Sequence, residues 1–458
     1  MHDFLIAVIS FIVLLGVMVV VHEFGHFAVA KLFGVRVEAF SVGMGPRLFG
    51  FKHGETDYRI CAFPVGGYVK MTGENPGDEV NDVKGDIDPG AFTSHPRWQR
   101  MLIGLAGPVS NFILAFVLML GYYWFLNEVP PYFDKSVTLD LVLPGTEAAK
   151  AGLETGDQIV SFDSTDNPSY EQLILLAAPN LNHSVEMTVD RSGKRIETHI
   201  FLAGGAKPEE FSLEKLGLIP QAQSGFVSVD RAEAGSPAAE AGLLRGDKIV
   251  AFDGLPLHFT NSLLPYLQAR AGKPLVLTVV RKGQTLNLTA HPRELGVAEL
   301  GGVWRLGFAA VPPPEHAKPL DFVQAIGRSA AYSRDNSLLI VRVLGKVLSN
   351  QMSVKTLSGP VGMAQMAGDA AQSQGYFPKF GLAAAISINL GILNLLPIPI
   401  LDGGLILLLL IESIRRKDLS TNVKERIYQT AFVMLMLLFA FIIFNDVSKL
   451  PLFAKLKL

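Results

Sequence analysis

Residues 4–21 carry no charge, and this run of 18 residues continues without a break into Val21-His22-Glu23-Phe24-Gly25-His26. A helix of that length crosses most of a hydrocarbon core, where ionisable groups cost about 2.5 to 3.5 kcal/mol each unless they find partners. On a helix, His22 and His26 lie four residues apart on one face and can reach one Zn²⁺, with Glu23 beside them placed to take a proton from water at the metal. A histidine satisfied by interior hydrogen bonds is the ordinary alternative, and it fits poorly a pair that flanks a glutamate.

The chain of 458 residues is 49% hydrophobic and 18% charged, with a mean hydropathy of +0.33. That reads as a membrane protein carrying soluble parts. A formal net charge of -2 without a basic stripe excludes nucleic acid as a partner. Cys61 is the one cysteine, so no intramolecular disulfide and no thiolate metal site can form, and a metal must use histidine and carboxylate. Met1-His2-Asp3 lacks a basic start and no small-residue cleavage site follows, so the first apolar run is expected to be a retained span rather than a signal peptide.

In chain order, residues 1–30 are expected to form span one, followed over 31–97 by a β-hairpin region and an acidic cytoplasmic loop. Residues 35–71 alternate and are rich in glycine and in β-branched or aromatic types, which predicts two or more short, strongly bent strands. Gly43, Gly45, Gly50, Gly66 and Gly67 permit close backbone approach, so a strand near the catalytic helix could pair with an extended substrate; a plain structural hairpin fits the pattern equally. Glu74, Asp78, Glu79, Asp82, Asp86 and Asp88 against Lys84 read as a solvated loop whose spacing does not fit an EF-hand.

Span two is expected at 98–126, with Arg97, Trp98 and Arg100 at the interface. Ala106-Gly107-Pro108 and Asn111 are unusual inside a span: they point either to a polar partner in the bundle or to close helix packing.

From 130 to about 313 the hydropathy drops and a repeat appears. Residues 145–164, GTEAAKAGLETGDQIVSFDS, match residues 235–254, GSPAAEAGLLRGDKIVAFDG, at 12 of 20 positions. Each unit reads as a small β-rich fold with short helices. The A-G-L-x-x-G-D-x-I-V segment resembles bacterial PDZ domains, placing a first PDZ-like domain at 127–222 and a second at 223–313. Peptide binding by strand addition and steric gating are both open to them.

An amphipathic connecting segment is expected at 314–378, with helical periodicity over 322–348 and a break at Leu357-Ser358-Gly359-Pro360. Span three, 379–412, is interrupted by Asn389, Asn394, Pro397-Ile398-Pro399 and Asp402-Gly403-Gly404. Irregular backbone at membrane depth must be buried in protein or line a cavity, so the break marks a site. A connector at 413–426, span four at 427–447 and a tail at 448–458 complete the chain. Counting about 1.5 Å per residue from the start of spans one and three brings His22, His26 and Asp402 to one level. Arg415, Arg416, Lys417, Lys424 and Arg426 put the connector, and with it that level, on the cytoplasmic side, against a sparser Lys449, Lys455 and Lys457 in the tail.

HEFGH, the segment NLLPIPILDGG at 394–404 and the paired PDZ-like units together resemble the site-2 protease family of intramembrane zinc metalloproteases, over essentially the whole chain. The resemblance implies an α-helical polytopic membrane protein with four transmembrane helices, a membrane-associated β-hairpin and two tandem PDZ-like domains. It implies that His22, His26 and Asp402 ligate zinc, that Glu23 is the general base and that Asn394 positions substrate, with Asn389 a weaker candidate. It further implies hydrolysis within the transmembrane segment of pre-trimmed single-pass membrane proteins, of anti-sigma-factor type or signal-peptide remnants. The enzyme would lie in a bacterial inner membrane among lipid, its PDZ-like domains periplasmic and acting as a size filter, with an unwound substrate held by strand pairing near residues 47–52.

Two other readings compete. A non-catalytic PDZ scaffold with a structural metal would want four protein ligands, and the sequence offers three and a base. A tethered ordinary zinc peptidase is disfavoured because HEFGH is contiguous with the apolar span.

Overall fold

The computed structural model describes residues 2–74, 88–128, 131–204, 212–221, 226–257, 260–295, 303–310, 318–349, 359–373 and 375–448. The chain divides into two compact units, one built from Met1–Asn127 with Pro319–Leu458 and the other from Glu128–Lys318.

The first unit combines helices with a two-stranded sheet. Its helices are α1 (His2–Leu32), α2 (Arg97–Phe125), α3 (Phe322–Leu348), α4 (Pro360–Gln372), α5 (Phe377–Asn394), α6 (Asp402–Arg415) and α7 (Thr421–Ser448). Among the described residues, four stretches are long and apolar enough to cross a membrane: Leu5–Leu32, Arg97–Phe125, Phe377–Asn394 and Thr421–Phe444. The third expected span is two helices, because Pro397 and Pro399 deprive the ladder of donors and the chain turns irregularly over 395–401. Arg97 at the start of α2 pairs with Asp418 at 2.6 Å, which sets the beginning of span two beside the connector between α6 and α7.

Small residues let α1 and α2 touch. A Cβ on Gly25 would lie 2.4 Å from the Ala106 carbonyl oxygen, and Ser110 Oγ donates to the Val21 carbonyl at 2.9 Å. At the far end of α7, the buried Asp446 carboxylate accepts from the backbone N–H groups of Gly359, Val361 and Gly362, at 3.0, 3.1 and 3.2 Å. It thereby caps the start of α4, where Pro360 needs no donor.

Two long strands, β1 (Val37–His53) and β2 (Thr56–Met71), replace the short ones expected. Each folds back across the other. Residues 37–42 pair with 67–71 on one side and 57–60 on the other, and 47–53 pair with 56–61. The result is a curled four-segment sheet whose edges are 47–53 and 67–71. Gly43, Gly45 and Gly66 sit at its bends with φ of +86°, +88° and +91°, which side chains resist. The 47–53 side exposes Phe49 and Phe51.

The acidic loop is not simply solvated. Asp88 is buried, accepting from Arg36 and from Gly90 N–H, and Glu74 is turned inward. The fold itself buries Asp88, since 88–92 run beside the start of β1 and the end of β2, Arg36 N–H donating to the Gly90 carbonyl and Phe92 N–H to the Thr72 carbonyl. Asp78, Glu79, Asp82, Lys84 and Asp86, with Leu357, Ser358 and the tail lysines, lie outside the described residues.

The second unit carries the repeat in register. Strands Gln158–Phe162, Ser184–Arg191 and Lys194–Phe201 of the first half correspond to Lys248–Phe252, Leu275–Arg281 and Gln284–Ala290 of the second. An identical ion pair recurs: Arg191 Nε donates to Asp157 and Arg281 Nε to Asp247, each at 2.7 Å. The halves are less separate than expected. Leu141 and Leu143 pack in the core of the second half, and Ser262 Oγ donates to Asp140 at 2.5 Å.

The Arg281 guanidinium, through its hydrogen bonds, holds the Asp247 carboxyl below the usual carboxylate range. A depressed carboxylate stabilises the fold above its unfolded pKa and loses that contribution as pH falls through the folded value. Arg281→Met is therefore expected to lower the unfolding midpoint of this unit by about 5 °C at pH 7, and the deficit should shrink between pH 5 and pH 3. A pH-independent deficit would contradict the pairing.

Candidate active site

Helix α1 carries His22 and His26 into the bundle, and both are buried. Asp402, the first residue of α6, meets them: Oδ2 lies 3.1 Å from His22 Nε2 and Oδ1 lies 3.3 Å from His26 Nε2. The two imidazole Nε2 atoms are 3.2 Å apart. These three side chains form a group of metal-competent donors whose atoms all lie within 4.8 Å of one another. Donors at about 2.0 to 2.1 Å from a tetrahedral zinc would sit about 3.3 to 3.4 Å from each other, so the spacing fits that ion. Asp402 Oδ2 is buried and, although it lies 3.1 Å from His22 Nε2, receives no aligned hydrogen bond, a deficit that a cation would remove.

The local sequence explains why these side chains can converge. A Cβ on Gly107 would fall 2.2 Å from His26 Nε2 and 2.8 Å from His22 Nε2, so only glycine lets α2 pass this close. Gly403 and Gly404 are equally constrained: a Cβ on either would lie 2.2 Å from a carbonyl oxygen, that of Leu395 or Ile398. The loop 395–401 is thus folded tightly onto the first turn of α6. Ile400 in that loop has φ of +97°, a conformation that a β-branched residue resists and that the surrounding packing must impose.

Helix α2 also orients the rings. His26 Nδ1 donates to the Ile103 carbonyl at 2.7 Å, which leaves Nε2 facing Asp402. The Asn111 amide lies 3.1 Å from His22 Nδ1, and the Asn394 amide lies 3.2 Å from His22 Nε2.

Glu23 faces the edge of the curled sheet, its Oε2 accepting from Val69 N–H at 3.0 Å. Two residues along the same edge, Met71 N–H points to Glu74 Oε2 at 3.4 Å. Burial pushes the Glu74 carboxyl up to about 7, against the pull of that N–H. A cavity of about 390 Å³ opens between these elements, lined by the three convergent side chains, Glu23, Glu74, Asn394 and the strand residues 66–69.

The sequence motifs HEFGH and NLLPIPILDGG therefore come together, and Asn394 comes with them. Asn389 does not line the cavity. It precedes Asn394 by five residues, which on a helix turns it about 140° away. Residues 47–52 do not reach the cavity either: the curl of the sheet puts them on the opposite edge, and 67–71 take the place expected of them. Glu74 and Asn111 were not foreseen at the site. Asn111 had a visible signal in its polarity within a span, whereas Glu74 sat among other acids.

The sequence profile of Peptidase family M50 matches residues 10–438. The chain belongs to this family of site-2 proteases. Similar proteins include the regulator of sigma-E protease RseP of Escherichia coli K12, 33% identical over 98% of this chain and 100% of that protein. The regulator of sigma E protease of Salmonella typhi is 33% identical over 96% and 98%, and the protease RseP of Yersinia pestis is 32% identical over 98% and 100%. Membership of M50 makes the chain an intramembrane zinc metalloendopeptidase and sets aside the non-catalytic scaffold.

Proposed function

We propose that His22, His26 and Asp402 hold the zinc, that Glu23 is the general base and that Asn394 positions the substrate. The observation that carries this reading is the convergence of three side chains, the two imidazole Nε2 atoms and the two Asp402 oxygens meeting at 3.1 to 3.3 Å. Zinc bound there supplies Lewis acidity, polarising the scissile carbonyl and making water acidic enough to attack near neutral pH. Glu23 takes the proton from the attacking water and delivers it to the departing amine. The Asn394 amide, on the cavity wall, donates to the substrate backbone beside the scissile bond.

A transmembrane substrate must unwind first, because its carbonyls are otherwise engaged within its own helix. The edge at 67–71 is suited to hold the unwound strand. Its outward N–H at Val69 is the one Glu23 now occupies, so a pairing substrate brings its backbone directly against the base. Val69→Pro removes that donor without touching the pairing to β1. It should lower kcat/KM about tenfold or more while the protein stays folded; unchanged cleavage would sink strand pairing at this edge.

The substrates are single-pass membrane proteins already shortened outside the membrane, of anti-sigma-factor type, and also signal-peptide remnants. The name of the Escherichia coli relative, a regulator of sigma-E protease, supports this class. The enzyme resides in a bacterial inner membrane with its site towards the cytoplasm, as the basic connector at 413–426 argues. The repeated unit, read as two PDZ-like domains on the periplasmic side, filters substrates by size. Deleting residues 130–310 should then admit uncut substrates to cleavage, and continued rejection of them by a stable, active variant would refute the filter.

A further inference from the structure

Asn111 is fully buried on α2 with no hydrogen-bond partner for its Oδ1, and its amide faces His22 Nδ1 at 3.1 Å. Its backbone carbonyl accepts from Ser387 Oγ at 2.9 Å, which ties this turn of α2 to α5. The backbone that carries this side chain is therefore held between two helices, with the amide beside His22. If the Nδ2 end faces His22, Nδ1 must be the acceptor, and the ring proton then sits on Nε2, aimed at His26 and Asp402. That tautomer cannot ligate. The two ends of an amide are nearly isosteric, so the other end fits the same space. With Oδ1 towards the ring, the orphaned oxygen gains a donor and the ring proton is held on Nδ1.

We infer that Asn111 is a positioning residue for His22: its Oδ1 accepts the Nδ1 proton and fixes the tautomer whose Nε2 is free for the metal. The inference rests on the reading of His22 as a zinc ligand. It parallels the arrangement at His26, whose Nδ1 proton goes to the Ile103 carbonyl on the same helix. One helix thus orients both rings, one through a backbone carbonyl and the other through a side chain. Partners of this kind keep a ligand basic and correctly turned.

A packing role and an orienting role predict opposite orders of variants. Leucine fills the space of asparagine but offers no acceptor, whereas aspartate offers a stronger acceptor and carries a charge that is costly to bury without a partner. The test measures zinc affinity of the full chain in detergent by chelator competition, for wild type, Asn111→Leu, Asn111→Asp and His22→Ala. Asn111→Leu is expected to bind zinc about 10- to 100-fold more weakly, and Asn111→Asp at least as tightly as wild type. Wild-type affinity in Asn111→Leu, or weaker binding by Asn111→Asp than by Asn111→Leu, would overturn the inference. Equal affinity in wild type and His22→Ala would instead overturn the zinc reading itself. Should the variants not fold, nitrogen NMR of histidine-labelled, zinc-loaded wild type decides: a proton on Nδ1 of His22 supports the inference and a proton on Nε2 ends it.

Discussion

Gly107→Ala is expected to abolish zinc binding and cleavage together. The added Cβ would stand 2.2 Å from one imidazole nitrogen and 2.8 Å from the other, so both rings must swing away or α2 must retreat. Neither is free, because His26 is fixed to the Ile103 carbonyl and Ser110 ties α2 to Val21. A displacement of about 1 Å at reacting groups already costs on the order of a hundredfold in rate. The expected loss of kcat/KM is thus at least about a hundredfold, with zinc absent from the purified variant. Retention of zinc with near-normal turnover would mean that α2 does not pass the rings this closely.

Asp402→Ala is expected to have the second large effect. Asp402 brings the one negative charge among the three convergent donors, and it is held by a loop that glycines at 403 and 404 allow to fold tightly. Structural zinc sites hold their ion with about 10 to 16 kcal/mol shared among four ligands. Losing one ligand should therefore weaken binding by about 10² to 10³, measured by chelator competition. Cleavage should fall in parallel and recover partly at high zinc concentration. An unchanged affinity would assign the third ligand elsewhere.

Much of this site is legible in the sequence because its chemistry is concentrated in short, local motifs. His22 and His26 share a helix turn pattern, and the prolines at 397 and 399 announce a broken span. Counting rise along two helices is enough to bring Asp402 level with them. The repeat at 145 and 235 is equally plain, since duplication survives as identity.

What sequence does not show is set by long-range geometry. Alternation predicts strands over 35–71, yet which edge meets Glu23 depends on how glycines 43, 45 and 66 curl the sheet, and the edge is 67–71 rather than 47–52. Glu74 and Asp88 look like members of a solvated acidic loop until neighbouring segments bury them. The insertion of Leu141 and Leu143 into the second core has no periodic signature at all. Ala106-Gly107-Pro108 is visible as an oddity in a span, but its purpose, room for two imidazoles, needs the partner helix in place.

The central claim is that a zinc held by His22, His26 and Asp402 works with Glu23 as base. Zinc-dependent cleavage of a truncated single-pass substrate in detergent, compared between wild type and Glu23→Gln, tests it most directly. Glu23→Gln should retain zinc at wild-type stoichiometry and lose about 10² to 10⁴ in kcat. Equal cleavage by the two proteins, with zinc bound to both, would contradict the claim.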